Sequence, residues 1–146
     1  MRRKIFERNI LFLCEDNACL SQMAEAMAKY LNPPSTRVYS AGLKPSEILF
    51  QVYTVMVEFG IVMFGQVSNG LKAVPLDEID LVISFGDVAK RCDCLPCKAK
   101  IEYWSIPAPH AQAENGSAPF ASFRLCRDAI DKYVAALFLD HWRNVA

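Results

Sequence analysis

A cysteine at the junction of an apolar segment and an amphipathic segment is the residue of this sequence best placed to do chemistry. The run Ile10–Leu13 has the composition of a strand buried on both faces, and apolar residues recur at helical spacing from Met23 to Leu31. Cys14 lies at the turn between them. The amides of such a turn and the positive end of the helix dipole favour a thiolate or an oxyanion. The pattern therefore predicts a thiol nucleophile in an anion-binding loop.

The remaining chemistry-bearing residues are further cysteines. Cys19 lies in the same turn as Cys14, and a second group follows much later in a C-x-C-x-x-C pattern. This second group consists of Cys92, Cys94 and Cys97. Together with His110 it has enough soft ligands for zinc or a similar ion. A reversible disulfide and inert free thiols are the alternatives, and the spacing does not decide among the three.

Strand and helix signals alternate along the chain and must position these residues. Alternation of this kind predicts an α/β fold with a parallel sheet and helices on both faces. In such sheets ligands bind beyond the carboxyl ends of the strands, where the Cys14 turn lies. Cys126 is expected to be plain core on the inward face of the last helix. The predicted strands are Ile10–Cys14, Arg37–Ala41, Leu81–Ser84 and Ile101–Ile106, and the predicted helices are Ser21–Leu31, Ser46–Phe59 and Phe120–Trp142, with a short helical turn near Asp87–Arg91.

Length and composition predict a single domain over residues 1–146. The hydrophobic content of 53% is enough for one substantial core, and no linker is evident. Sixteen basic and sixteen acidic residues cancel, so charge does not favour a nucleic-acid partner. No apolar run approaches the roughly 18 residues that span a bilayer, and the basic start at Met1 precedes too short an apolar stretch for a signal peptide. We expect a cytoplasmic protein without a membrane partner, a nucleic-acid partner or a cofactor.

Several segments, in order along the chain, resemble one known family. They are CEDNACLS at Cys14, SQMAEA at Ser21, VYSAG at Val38, VMVEFGI at Val55, IDLVIS at Ile79 and YWSIPAP at Tyr103. These segments resemble the low-molecular-weight protein tyrosine phosphatases, and especially the thioredoxin-coupled arsenate reductases that share their fold. The resemblance implies a four-stranded parallel sheet. It also implies that Cys14 is the nucleophile, with Asn17, Cys19 and Ser21 in the binding loop.

The sequence departs from the family at the positions that would do the chemistry. The family's loop ends with an arginine before a serine or threonine, and here the position of that arginine is Leu20. A guanidinium binds an oxyanion through paired hydrogen bonds and stabilises its transition state, which leucine cannot do. Glu15 and Asp16 add two carboxylates that repel a dianion. The family's general acid, an aspartate before a proline, corresponds to Ala108, which cannot donate a proton.

The cysteine relay of the arsenate reductases is also incomplete. In those enzymes the loop cysteine passes its oxidation to two cysteines of a segment after the third strand. Alignment on Asp87 places Cys92 on the terminal cysteine, whereas the intermediate cysteine falls at Phe85 or Gly86 and is absent. The relay therefore cannot run in its family form. Cys92 remains a candidate redox partner of Cys14, and thioredoxin a candidate thiol partner.

The resemblance and its departures leave two functions open. The first is a catalytically impaired family member that acts as a binding or thiol-responsive module. Leu20 and Ala108 favour this interpretation. The alternative is an active arsenate reductase or protein tyrosine phosphatase that uses Cys14 as nucleophile, with Lys90, Arg91 or another basic residue replacing the missing arginine.

The second predicted helix, residues 46–59, carries a wider apolar arc than one core requires. Phe50 and Val57 extend that arc beyond the roughly 100° stripe of a surface helix. One explanation is that the following segment, residues 61–64, covers them. The other is a homodimer interface, because contiguous exposed apolar patches are uncommon on monomers.

Overall fold

The computed structural model describes residues 8–31, 33–109 and 119–145, with the side chains of the last helix described for residues 120–139. Four parallel strands form one sheet in the order β2-β1-β3-β4. The predicted four-stranded parallel sheet is confirmed. The elements are β1 (Arg8–Cys14), α1 (Leu20–Leu31), β2 (Thr36–Gly42), α2 (Phe50–Glu58), β3 (Leu81–Phe85), β4 (Lys100–Trp104) and α3 (Pro119–Val145).

The central strand β1 explains the apolar run seen in the sequence. β1 pairs with β2 on one side and with β3 on the other, and Ile10–Leu13 is almost completely excluded from solvent. Both faces of β1 are covered by the layers that pack on the sheet, so every position along it favours an apolar residue. All four strands point the same way, and Cys14 ends β1 at the carboxyl edge of the sheet.

The two faces of the sheet are covered by different kinds of helix. The three α-helices pack on the face that carries Ile10, Phe12 and Ile83. The opposite face, with Leu11 and Leu13, is covered by loops and three short 3₁₀ helices. Those helices are Leu71–Ala73, Leu76–Glu78 and Val88–Arg91. Helical layers therefore cover both faces as predicted, but only one of the layers is α-helical.

Cys126 is buried on the inward face of α3, as expected of a core residue. Its thiol donates to the carbonyl oxygen of Pro107 at 3.1 Å, and burial raises the pKa of Cys126 to about 11. Within the described residues, no helix has the length and apolarity that crossing a membrane requires.

The second helix begins at Phe50, so the predicted start at Ser46 is wrong. Leu49 has extended backbone angles (φ −67°, ψ 137°). The amides of Ser46 and Leu49 donate to the carbonyl oxygens of Asp16 and Ala18, at 2.9 and 3.1 Å. These bonds to the Cys14 loop compete with the helical pattern and keep residues 46–49 extended. The helical spacing of the side chains gave no sign of this tertiary contact.

The exposed face of α2 is not covered by the segment that follows it. Phe50 and Val57 stay 67% and 57% exposed. In the segment 61–64 the buried residues turn towards the core, whereas Val62 and Phe64 face solvent. The explanation by covering is therefore wrong. The ring of Phe50 packs edge-on against Phe120 of α3, with the centroids 6.2 Å apart, and this contact leaves most of Phe50 accessible.

Candidate active site

Cys14 lies where β1 runs into the loop of residues 15–19 and α1 begins at Leu20. Its sulfur accepts the backbone N–H of Asn17 at 3.1 Å and lies 2.7 Å from the hydroxyl oxygen of Ser21. The three predicted loop residues Cys14, Asn17 and Ser21 are therefore brought together. The thiol is almost completely buried, at 5% exposure. Groups around the sulfur can donate hydrogen bonds to it, as a nucleophilic thiolate would require.

Burial nevertheless favours the thiol form of Cys14. Loss of solvent is the largest influence on this group and raises its pKa above the ordinary value. Hydrogen bonds from Ser21 and Asn17 oppose this shift, and the nearby carboxylate of Asp16 adds to it. Because only the thiolate is strongly nucleophilic, we expect Cys14 to be alkylated slowly at neutral pH.

Asn17 holds the loop in shape through its backbone and its side chain. It has a φ of 52°, in the left-handed region that asparagine tolerates better than most residues. Its side-chain NH₂ donates to the hydroxyls of Ser21 and Ser40, at 2.8 and 2.9 Å. Its side-chain oxygen accepts the amide of Gln22 and the backbone N–H of Asn69, at 2.9 and 2.7 Å. One fully buried side chain thus ties the loop to α1, to β2 and to the segment near residue 69.

A polar network behind Asn17 was missed by the sequence reasoning. Gln22 is completely buried, donates to the backbone oxygen of Val67 and accepts from Gln66. Glu25 accepts the hydroxyl of Ser40 and pairs with Lys29. The signal available was the polar pair Gln22 and Glu25, three residues apart on an otherwise apolar helix face. Such a network rigidifies the loop when each buried polar group has a partner.

β2 approaches the loop so closely that only glycine fits at its end. A Cβ atom added to Gly42 would lie 2.6 Å from the backbone nitrogen of Asn17 and 2.7 Å from the carbonyl carbon of Asp16. Neither atom belongs to a flexible side chain that could move aside. Gly42 therefore fixes the distance between β2 and the Cys14 loop.

The Asp16 carboxylate turns back onto its own loop. Its Oδ1 atom accepts the backbone N–H of Ala18 at 3.1 Å and lies 3.9 Å from the sulfur of Cys14. Loop amides next to a nucleophilic cysteine are the groups that would hold an oxyanion. At Ala18, the chain's own carboxylate uses that donor.

Glu15, the other acidic residue of the loop, connects it to the segment after β3. Arg91 donates to Glu15 at 2.6 Å and also lies 3.7 Å from Asp87. Lys90 sits over the ring of Tyr103, with 5.2 Å from Nζ to the centroid. The two basic residues considered as replacements for an arginine thus already have partners, Arg91 on a loop carboxylate and Lys90 outside the loop. Since Glu15 and Arg91 are each about half exposed, their ion pair contributes little to stability.

The second cysteine group lies on the surface. The sulfur atoms of Cys92 and Cys94 are 3.1 Å apart, and Cys97 is exposed. Among the described residues, no group of three or more potential ligands is arranged to hold a metal ion. His110, the fourth ligand of the zinc interpretation, lies outside the described residues. The zinc interpretation, one of the three left open by the spacing, therefore has no support within the described part of the chain.

Comparison with known proteins decides the family. Residues 9–145 match the family described as low molecular weight phosphotyrosine protein phosphatase. The chain belongs to this family. It is 34% identical over 122 residues to an arsenate reductase of Bacillus subtilis (strain 168), a match that covers 83% of this chain and 88% of that protein. It is 33% identical to an arsenate reductase of Bacillus licheniformis over 129 residues, with 88% and 93% covered.

Solved structures agree with this assignment of the phosphatase family. A structure described as an arsenate reductase in the phosphate binding state matches this chain with a TM-score of 0.73 and 30% identity. The match covers 91% of this chain and 98% of that one. An arginine phosphatase from Geobacillus stearothermophilus has a TM-score of 0.78 and covers 94% of each chain. Its 23% identity supports the fold alone. The predicted family resemblance is confirmed.

Three further predicted site positions have side chains that carry no charge near neutral pH. Leu20 begins α1, is 8% exposed and packs in the main core. Ala108 is exposed in the segment after β4. Cys19 is buried in the core, and loss of solvent raises the pKa of its thiol far above the ordinary value. The roles assigned to these positions by resemblance stay predictions.

Proposed function

We propose that this chain is a catalytically silent member of the phosphatase family that acts as a binding or thiol-responsive module. The observation that carries the proposal is Leu20. At the loop position where the family's arginine is expected, an apolar side chain is buried in the core. An oxyanion bound at Cys14 would find no guanidinium there, and such donors contribute several kcal/mol to the stabilisation of a transition state.

Asp16 supports the same proposal. Its carboxylate accepts a loop amide that would otherwise be available to an anion, and its charge lies close to the Cys14 sulfur. A phosphate or arsenate dianion would have to displace this carboxylate and overcome its repulsion. Both effects weaken binding of the ground state and of the transition state.

An active arsenate reductase or phosphatase remains the second candidate because of one observation. The sulfur of Cys14 lies 2.7 Å from Ser21 and accepts the amide of Asn17, an arrangement that could stabilise a thiolate. Against this candidate, Arg91 is paired with Glu15, and Lys90 lies over Tyr103. Each side chain would have to leave its present partner to replace the arginine.

Binding of inorganic phosphate tests the proposal without requiring turnover. We expect no saturable binding to the wild-type chain below about 10 mM, which corresponds to less than about 3 kcal/mol. The double variant Leu20→Arg, Asp16→Gly regains the guanidinium and frees the Ala18 amide, and should bind phosphate at least about tenfold more tightly. Isothermal titration calorimetry measures both. Submillimolar binding by the wild type that Cys14→Ser weakens would contradict the proposal.

The proposal places the protein in the cytoplasm and requires no cofactor. All six cysteines are free thiols, as is usual for a reducing compartment. A dithiol reductant such as thioredoxin is the partner that would keep exposed thiols reduced. The resemblance to thioredoxin-coupled arsenate reductases is the reason for proposing this partner.

We also propose that the chain forms a homodimer through α2. Phe50 and Val57 leave an apolar face exposed, and burying what is still exposed of both side chains could contribute roughly 2–4 kcal/mol before association costs. A two-fold arrangement would bring each helix against its own copy. Light scattering at micromolar concentration should give twice the monomer mass.

The matched variants for this prediction are Phe50→Glu on α2 and Leu125→Glu on α3. Both replace an apolar side chain that is 67% exposed. Phe50→Glu should give the mass of one chain with an unchanged circular dichroism spectrum, and Leu125→Glu should leave the dimer intact. A wild-type chain that stays monomeric at high concentration would refute the interface.

A further inference from the structure

Two surface thiols outside the Cys14 loop are already in contact. The sulfur atoms of Cys92 and Cys94 lie 3.1 Å apart. Cys94 is exposed and Cys92 is partly exposed, so a small molecule in solution can reach the pair. The turn that carries them is anchored to the domain, because Leu95 and Ala99 pack against the hydrophobic cluster beneath the sheet.

This contact is close to the geometry of a disulfide. A disulfide has a sulfur–sulfur distance of about 2.05 Å, so the two atoms need to approach by about 1 Å. The turn at residues 93–94 already folds one cysteine back on the other. Side-chain rotation within an exposed turn can supply such a displacement without rearrangement of the core.

We propose that Cys92 and Cys94 form a reversible disulfide and are the redox-responsive site of this chain, with a low-molecular-weight disulfide as the oxidant. Cys94, the more exposed thiol, loses its proton and attacks one sulfur of the small disulfide. The S–S bond of that molecule breaks, and one small thiolate leaves.

The second step closes the pair. Cys92 loses its proton and attacks the Cys94 sulfur of the mixed disulfide, and the second small thiolate leaves. The two protons lost by the protein are taken up by the two departing thiolates. The protein gives up two electrons and the small disulfide gains them, so one dithiol and one disulfide become one disulfide and two thiols.

The Cys92–Cys94 pair lies next to an ion pair that joins the segment after β3 to the Cys14 loop. Arg91, which pairs with Glu15 at 2.6 Å, directly precedes Cys92. Closing the disulfide restrains the backbone from residue 92 to residue 94 and therefore the position from which Arg91 reaches the loop. This inference deepens the thiol-responsive part of the proposed function, since it names the thiols that respond.

The pH dependence of the first step follows from the surroundings of Cys94. The hydrogen bond with Cys92, partial burial and the charge of Asp93 raise the pKa of the Cys94 thiol. Below that pKa the thiolate fraction grows roughly tenfold per pH unit, so oxidation should accelerate by about that factor from neutral into alkaline solution.

The sequence around the pair makes the experiment direct. Trypsin cleaves after Arg91 and after Lys98, so one peptide, residues 92–98, carries Cys92, Cys94 and Cys97 and no other cysteine. The folded full chain is treated with bis(2-hydroxyethyl) disulfide, remaining thiols are alkylated, and the digest is analysed by mass spectrometry. The expected product is this peptide with one internal disulfide and one alkylated cysteine.

Two single variants assign the bond. Cys97→Ser should leave the internal disulfide in place, whereas Cys94→Ser should abolish it and leave a mixed disulfide on a remaining thiol. Circular dichroism verifies that both variants fold, which their exposure favours. A disulfide lost in Cys97→Ser, a bond from this peptide to the Cys14 peptide, or mixed disulfides on both Cys92 and Cys94 would overturn the proposal. The assay uses no phosphate or arsenate, so its failure is distinct from failure of the proposed loss of catalysis.

Discussion

Replacement of Asn17 by alanine should lower the free energy of unfolding by about 3–6 kcal/mol. The change removes four side-chain hydrogen bonds. The backbone N–H of Asn69 loses its acceptor, whereas the hydroxyls of Ser21 and Ser40 lose one donor each and keep their other contacts. Each buried polar group without a partner costs about 1–3 kcal/mol. Alanine at a φ of 52° adds about 1–2 kcal/mol of backbone strain.

Urea denaturation followed by circular dichroism measures this effect, with an unchanged m-value as the sign that only stability has changed. Asn17→Gly is the matched variant, because glycine loses the same side-chain bonds but tolerates the left-handed backbone. We expect it to be more stable than Asn17→Ala by about 1 kcal/mol. A loss below about 1 kcal/mol for Asn17→Ala would mean that the network does not hold the loop.

Rebuilding the missing chemical groups should create phosphatase activity. The fourfold variant Glu15→Thr, Asp16→Gly, Leu20→Arg, Ala108→Asp removes both loop carboxylates and supplies a guanidinium and an acid. The guanidinium and the general acid each contribute roughly 10²-fold or more to a rate. We therefore expect turnover of p-nitrophenyl phosphate at least about 10²-fold above that of the wild type.

The control is the same fourfold variant with Cys14→Ser added. It should lose the gained turnover of p-nitrophenyl phosphate entirely, because the rebuilt site would use the sulfur as its nucleophile. The variant without Ala108→Asp should bind phosphate but turn it over slowly. A folded fourfold variant that binds phosphate and shows no gain would show that these four positions do not limit phosphatase activity in this chain.

Most of the fold could be predicted from the pattern of apolar residues in the sequence. Ile10–Leu13 indicated a strand buried on both faces, and the turn at Cys14 predicted an anion-binding loop at the carboxyl edge of the sheet. These features depend on hydrophobic period and on local turns, which a sequence displays directly.

The contacts between segments far apart in the sequence could not be predicted from such patterns. Residues 46–49 have helical spacing, but their amides are held by Asp16 and Ala18. Gln22 looked like an ordinary polar helix residue, yet it is completely buried against segments near residues 17 and 67. Tertiary hydrogen bonds override helix propensity where they satisfy the backbone amides better than a helix would.

The directions of the side chains at the Cys14 loop and on α2 could not be predicted from the sequence either. Asp16 was expected to repel an anion, and its carboxylate also accepts a loop amide. Phe50 was assigned equally to a covered helix and to an interface, and its exposure removes the first of these. Neither outcome follows from residue type, because each depends on which neighbour the fold brings within reach.

The central claim is that the Cys14 loop performs no oxyanion chemistry. Its most direct test is the turnover of p-nitrophenyl phosphate, and of arsenate with a thioredoxin system, by the wild-type chain beside Cys14→Ser. We predict that the two proteins are indistinguishable in both assays, because Leu20 and Ala108 supply neither the guanidinium nor the acid. A wild-type turnover of about 1 s⁻¹ or more in either assay, abolished in Cys14→Ser, would contradict the account.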